Sequence, residues 1–294
     1  MTTEATSIAM PAAKRRAAEA ARTPAVLTIA RRELAEGMRN RWVVSTTILM
    51  AALASAIAAL GSAPTGSTST AALDVVVVGL ASLTIFLVPL IALLISHDAI
   101  TREAERGTLL LLLSHPLARW QIVAGKFLGQ LAILTLATVI GFSFAAGFVV
   151  WQNGSAGWQA FVVMTAASIL LGAVFLSLGL LASSAVQESS TAAGISIGLW
   201  LLFVAIYDMA LLAFLVAQGG HAISGWIMDL ALVLNPTDAY RLLTLGEGSS
   251  SMLSGMGGVF DNSGLTPGLL VAALVAWCLV PLAAAMLVFS RRNL

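Results

Sequence analysis

Three histidines (His97, His115, His221), one cysteine (Cys278) and one Gly-Lys pair (Gly125-Lys126) are the groups in this chain best equipped for chemistry. A phosphate-binding loop needs a glycine five residues before the second glycine and Ser or Thr after the lysine, so that backbone N–H groups cradle the phosphates. Those positions hold Trp120 and Phe127, so the chain has no nucleotide cradle of this kind. No histidine lies in an apolar run beside a candidate serine nucleophile, and no His-Glu-x-x-His pair exists. A hydrolase would lack its base. One cysteine, within the last apolar run, allows neither an intrachain disulfide nor a cysteine-based metal cluster.

Softer candidates remain. Met252 and Met256 are four apart, in one segment with Met228 and His221. Thioethers and imidazole suit Cu(I), and methionine equally supplies adaptable apolar contact to a protein partner. Asp208, beside Tyr207, is the acid set well inside an apolar run. A carboxylate there costs roughly 2.5–3.5 kcal/mol on insertion scales, so it faces a cavity or a partner. It reads either as a polar gate near a cavity mouth or as a group paired with Tyr207 or with backbone.

The elements that must carry these residues are membrane helices. Hydrophobic residues make up 59% of the 294 positions, and the mean hydropathy is +0.95. A soluble domain cannot hide that much apolar surface. Runs of about 20 residues suffice to span, and six qualify, at 42–60, 75–96, 127–151, 160–183, 191–217 and 267–290. They are continuously apolar rather than alternating, which argues against a β-barrel. The expected fold is an all-α polytopic membrane protein with six transmembrane helices. The long basic flank before the first run marks a retained span rather than a cleaved signal.

Charge sets the orientation. Fourteen of the fifteen Lys and Arg fall in residues 1–41, 97–126 and 291–292, segments that six spans place on one face. The positive-inside rule makes that face cytoplasmic, with both termini. The opposite face has Arg241 with Asp74, Asp229, Asp238, Glu247 and Asp261.

The organisation along the chain follows. Residues 1–22 read as a disordered tail and 23–41 as an amphipathic interfacial helix, with Val26, Leu27, Ala30, Leu34 and Met38 on one side and Arg32, Glu36 and Arg39 on the other. Residues 42–290 form the transmembrane domain, with an inner loop at 97–126 and an outer segment at 218–266; residues 291–294 are a cytoplasmic end. In the outer segment "GWIMDLALVL" is too short to span and reads as interfacial or re-entrant. Gly194 and Gly198 are spaced for close helix approach, at a packing or dimer seam. No internal repeat is visible, which weakens a carrier built from inverted halves.

The stretch "ITREAERG" can continue the second helix into the cytoplasm, Gly107 can end it, and Pro116 can start another. Leu109–Leu113 are too few to span and too apolar for open water. They need lipid or a protein groove, so this loop is either a solvated turn dipping into lipid or the grip of a docked partner.

"RELAEGMRNRW" before the first span and "REAERGTLLLLLSHPLARWQIVAGKFLG" after the second resemble the permeases of the type-2 ABC exporter family. The resemblance implies that Arg102, Glu103, Glu105, Arg106, Gly107 and Thr108 form a coupling helix seated in a separate ATPase, with Gln187 and Glu188 as a smaller contact. Leu110 departs from the pattern, which often has an acid there. "PLIALLISHDAI", "YDMALLAFL" and "LNPTDAYRLLTL" are more narrowly similar to the permease subunits of ABC complexes that mature the copper centres of nitrous oxide reductase. That similarity implies a homodimer in the bacterial inner membrane, two ATPase copies below and a periplasmic accessory protein above. Asp208, Asn235, Pro236, Asp238, Tyr240 and Arg241 are the expected gate or partner surface.

No cofactor is expected on this chain. ATP and Mg belong to the ATPase, and copper is at most transient, at Met252, Met256 and His221. Lipid is a partner and nucleic acid is not. Two other functions remain open: an ABC exporter of lipid-like or drug-like cargo, and an ion-coupled carrier using Asp208.

Overall fold

The computed structural model describes residues 22–61, 69–107, 118–153, 158–217, 225–245 and 264–291. These are helical, with no strand among them. The helices are α1 (Arg22–Arg39), α2 (Arg41–Gly61), α3 (Ser69–Ser96), α4 (Thr101–Glu105), α5 (Arg119–Asn153) and α6 (Trp158–Ala185). Then come α7 (Ser189–Leu201), a π turn (Leu202–Ile206) continuing into α8 (Tyr207–Ala217), α9 (Gly225–Leu234), α10 (Pro236–Leu245) and α11 (Pro267–Arg291). Six helical stretches are long and apolar enough to cross a membrane, at the six places that hydropathy marks. The seventh apolar helix, α9, is too short.

The bundle is organised around α6, two thirds of whose apolar stretch is buried (67%), against 11% for the α7–α8 span. Helices α3, α5, α10 and α11 pack on α6. Buried Leu171, Val174, Phe175 and Leu180 form its apolar sides. Hydroxyls along these helices return to the preceding turn, as Thr84 donates to Leu80 O (2.8 Å) and Ser168 to Met164 O (2.6 Å). A lipid-embedded helix needs such internal satisfaction because no water is present to replace it. Gly194 and Gly198 of α7 meet nothing within 4 Å, so the face they form is open in the single chain.

At 35 residues, α5 is about 52 Å long at 1.5 Å per residue. That exceeds a hydrocarbon core of roughly 30 Å, so a few turns stand beyond it. Helix α1 runs lengthwise along the start of α5. A Cβ on Gly125 would come within 2.7 Å of Ile29, and one on Gly129 within 2.8 Å of the Ala30 carbonyl. Glycine is required at both positions because the helices approach to backbone contact. The packed face of α1 therefore holds Val26, Ile29, Ala30 and Glu33, while Leu27 (64% exposed) and Met38 (54%) are left on a second apolar stripe.

Candidate functional site

The second span does not run on into the charged loop as one helix. Helix α3 ends at Ser96, the chain turns through His97–Ile100, and α4 begins at Thr101. The orphan amides at this new start are satisfied from another helix: Ile100 N–H (3.0 Å) and Thr101 N–H (3.2 Å) both donate to Ser183 Oγ of α6. Helix α4 ends at Glu105 with Arg106 as its C-cap, and Gly107 has φ 70°, the left-handed position that favours glycine after a helix end.

Glu105 then reaches the loop between α6 and α7. Ser189 N–H donates to Glu105 Oε1 (2.7 Å), and Ser189 Oγ lies 3.0 Å from Glu105 Oε2 and 3.1 Å from Thr101 Oγ1. Position Glu188 is the backbone N-cap of α7 and contributes no side-chain cap. The cap is supplied from α4 instead. The loop after α3 and the loop before α7 are thus one clasp.

Behind the clasp lies a buried ion triad. Lys126 of α5 is 3% exposed. Its ammonium donates to Glu33 of α1 at 2.5 Å and to Glu103 of α4 at 2.8 Å. Arg102 pairs with Asp98 one turn back. Arg119 donates to the carbonyls of Phe289 (3.3 Å) and Ser290 (3.2 Å) at the end of α11, where a cation complements the helix dipole. Of the coupling residues named from the sequence, Glu103 is half-buried against Lys126, and Glu105, though exposed, is held by Ser189. Arg102, Arg106, Gly107, Gln187 and Glu188 are exposed around them. Thr108, Leu109–Leu113 and Pro116 lie outside the described residues.

The opposite end of the bundle gathers most of the second residue set. Asn235 caps α10: its Oδ1 accepts from Thr237 N–H (3.1 Å) and Thr237 Oγ1 (2.8 Å), and Pro236 occupies the first helical position. Asn235 Nδ2 donates to the carbonyl of Phe203 (3.1 Å), inside the π turn where the regular ladder widens, and Thr237 Oγ1 lies 2.9 Å from the same oxygen, its one proton shared between that carbonyl and Asn235 Oδ1. Arg241 bridges Asp238 Oδ1 (2.9 Å) and Asp208 Oδ2 (2.8 Å). Tyr207 does not hold Asp208; its hydroxyl donates to Ala231 O of α9 (2.6 Å). Trp277 Nε1 of α11 donates to Val233 O (3.1 Å). The α9–α10 hairpin is thus tied to α8 and α11 by polar bonds.

Burial pushes the Asp238 carboxyl up to about 7, with the Asp208 charge adding and Arg241 opposing. Tyr240 points the other way, fully buried. Its hydroxyl is 3.0 Å from Ser168 Oγ of α6 and lies beside Thr84 of α3. Burial pushes that phenol up to about 12.

His221, Met252 and Met256 lie outside the described residues. Among the described residues no three His, Cys, Asp or Glu side chains cluster as a metal site. Sequence reasoning missed Glu33, Lys126, Ser183 and Ser189. One signal was present: Lys126 is a lone ammonium in an otherwise apolar helix beyond Arg119, and such a charge must find partners.

The matches to known proteins cover this same ground. Residues 27–294 match the model of the ABC-2 family transporter proteins. A "Probable ABC transporter permease protein NosY" of Pseudomonas aeruginosa is 44% identical over 273 residues, covering 92% of this chain and 99% of that protein. One of the same name from Stutzerimonas stutzeri is 43% identical over 274 residues, covering 91% and 98%. The resemblance in the charged loops extends through the whole bundle, and the chain belongs to the ABC-2 family of transporter proteins.

Proposed function

We propose that this chain is the membrane lever of an ABC complex. It would carry movement from a separate cytoplasmic ATPase to a periplasmic accessory protein during assembly of the copper centres of nitrous oxide reductase. The supporting observation is the polar anchoring of α6 at two levels, near its C-terminal end and well along its length. Ser183 accepts the start of α4, and Ser168 holds Tyr240 of α10. Fifteen residues separate the two serines, about 22 Å along one buried helix. A displacement of α4 reaches the α9–α10 hairpin through a packed rod rather than a flexible loop. The outward state must then offer the partner different contacts.

In this reading both termini are cytoplasmic, following the basic flanks. α1 lays its Leu27–Met38 stripe on the inner leaflet. Gly194 and Gly198 face a second copy across a homodimer seam. ATP and Mg act in the ATPase, and this chain holds no resident cofactor. Copper or sulfur is cargo of the assembly; Met252, Met256 and His221 are the residues with Cu(I) chemistry. Asp208 is an anchor for Arg241 rather than a proton carrier. The names of the two relatives support the permease role.

The test is pull-down of a cognate ABC ATPase co-expressed with this chain, together with copper-centre absorbance of nitrous oxide reductase in complemented cells. Arg106→Glu with Glu188→Arg reverses exposed charges and spares the clasp. The variant is expected to insert normally and to lose both signals. Undiminished ATPase capture would remove the coupling surface, and normal copper centres in a deletion strain would remove the maturation role.

A further inference from the structure

A cleft of about 780 Å³ opens among α1, the turn after α3, α4 and α5. Its floor is apolar, with Val43, Leu94 and Ile133. Four basic side chains line the cleft (Arg32, Arg102 and Arg106 at the rim, with Lys126 buried beneath), together with four acidic ones (Glu33, Glu36, Asp98, Glu103). A charged rim over an apolar floor fits an amphiphile. A rim balanced in sign gives a purely anionic headgroup as much repulsion as attraction and suits a zwitterion.

Gln130 narrows the choice. It is 3% exposed and lines the cleft one turn deeper than Lys126. Its Nε2 donates to Ile95 O at 3.3 Å. Its Oε1 is buried without a partner. An orphan acceptor at that depth calls for a hydrogen-bond donor from the ligand. A trimethylammonium headgroup has no such donor; a primary ammonium has three.

We infer that this cleft binds one phospholipid with a primary-amine, zwitterionic headgroup, phosphatidylethanolamine in class. The ammonium donates to Gln130 Oε1 and to the acidic rim, the phosphate meets the arginines, and an acyl chain covers Val43, Leu94 and Ile133. The inference rests on the proposed placement of the basic flank at headgroup level. A pinned lipid there would join α1 to α4, the element that receives the ATPase.

The test uses the purified full chain in bilayer discs of equimolar phosphatidylethanolamine, phosphatidylcholine and phosphatidylglycerol with matched acyl chains. Lipid retained after partial delipidation is read by native mass spectrometry. Phosphatidylethanolamine is expected over each of the others by about tenfold, the discrimination of one charge-assisted hydrogen bond. Gln130→Leu brings its preference over phosphatidylcholine to near unity. Glu36→Gln, on an exposed side chain, lowers it without touching the core. Equal retention of the three lipids, a preference unchanged in both variants, or release of the lipid by the bound ATPase would each overturn the assignment. Labelling of Arg39→Cys only in inverted vesicles reports orientation separately, so lost headgroup preference with that labelling intact removes the lipid site alone.

Discussion

Replacing Lys126 by methionine asks whether α1, α4 and α5 are joined by one electrostatic unit. The ammonium is almost wholly buried and binds Glu33 at 2.5 Å and Glu103 at 2.8 Å. Both carboxylate side chains are only 18% exposed, so solvent screens them weakly. Two oxygens on one nitrogen are no more than about 5 Å apart, and at an effective dielectric of roughly 20 their charges repel by about 3 kcal/mol. Removing one partner of a buried ion cluster costs about 3–5 kcal/mol for the same reason, because the remaining charges stay desolvated. Lys126→Met should therefore lose about 3–5 kcal/mol in denaturant unfolding of the purified chain, and ATPase capture with it. Lys126→Met combined with Glu33→Gln and Glu103→Gln leaves no charge to strand. It should recover stability to within about 1 kcal/mol of the parent, and capture should return. A loss under about 1 kcal/mol for the single change would show an ordinary screened surface pair. A triple variant no better than the single would refute the reasoning outright.

Ser183→Ala leaves the buried amides of Ile100 and Thr101 without an acceptor, so about 1–3 kcal/mol should be lost for each; faster amide exchange confined to the start of α4 checks it. Asn235→Ala removes a cap and one bond to Phe203 O and should cost about 1–2 kcal/mol, with proteolysis of the α9–α10 hairpin as the readout. Asp238 binds a proton more tightly folded, up to about 7, than unfolded, near the ordinary carboxylate value of 3.8. Its contribution is therefore full below pH 4 and is lost as pH rises to about 7. Asp238→Asn should flatten that fall in thermal stability, whereas an unchanged slope would place the titration elsewhere.

The helical spans were legible in the sequence because lipid imposes one requirement on every backbone group, and only a long apolar helix meets it locally. The same holds for the Asn235-Pro236 cap, whose donors and acceptors lie within three residues. The charged loop after α3 was recognisable as an interruption, but its wiring was not. Glu105 caps a helix 84 residues away, and Lys126 finds Glu33 across 93.

Pattern also misplaced one face of α1. The wheel joins Leu27 and Met38 to Ala30, while packing against Gly125 and Gly129 selects Val26, Ile29 and Ala30. Hydropathy measures how much surface must leave water. Which neighbour covers it depends on where glycine lets two backbones meet, and that is settled only when α5 stands beside α1. Composition and charge thus determined a six-span helical chain with basic flanks. Tertiary structure decided that the loops before α5 and α7 form one clasp and that Asp208 meets the Asp238–Arg241 pair, since Glu105–Ser189 and Asp208–Arg241 join residues distant in the chain.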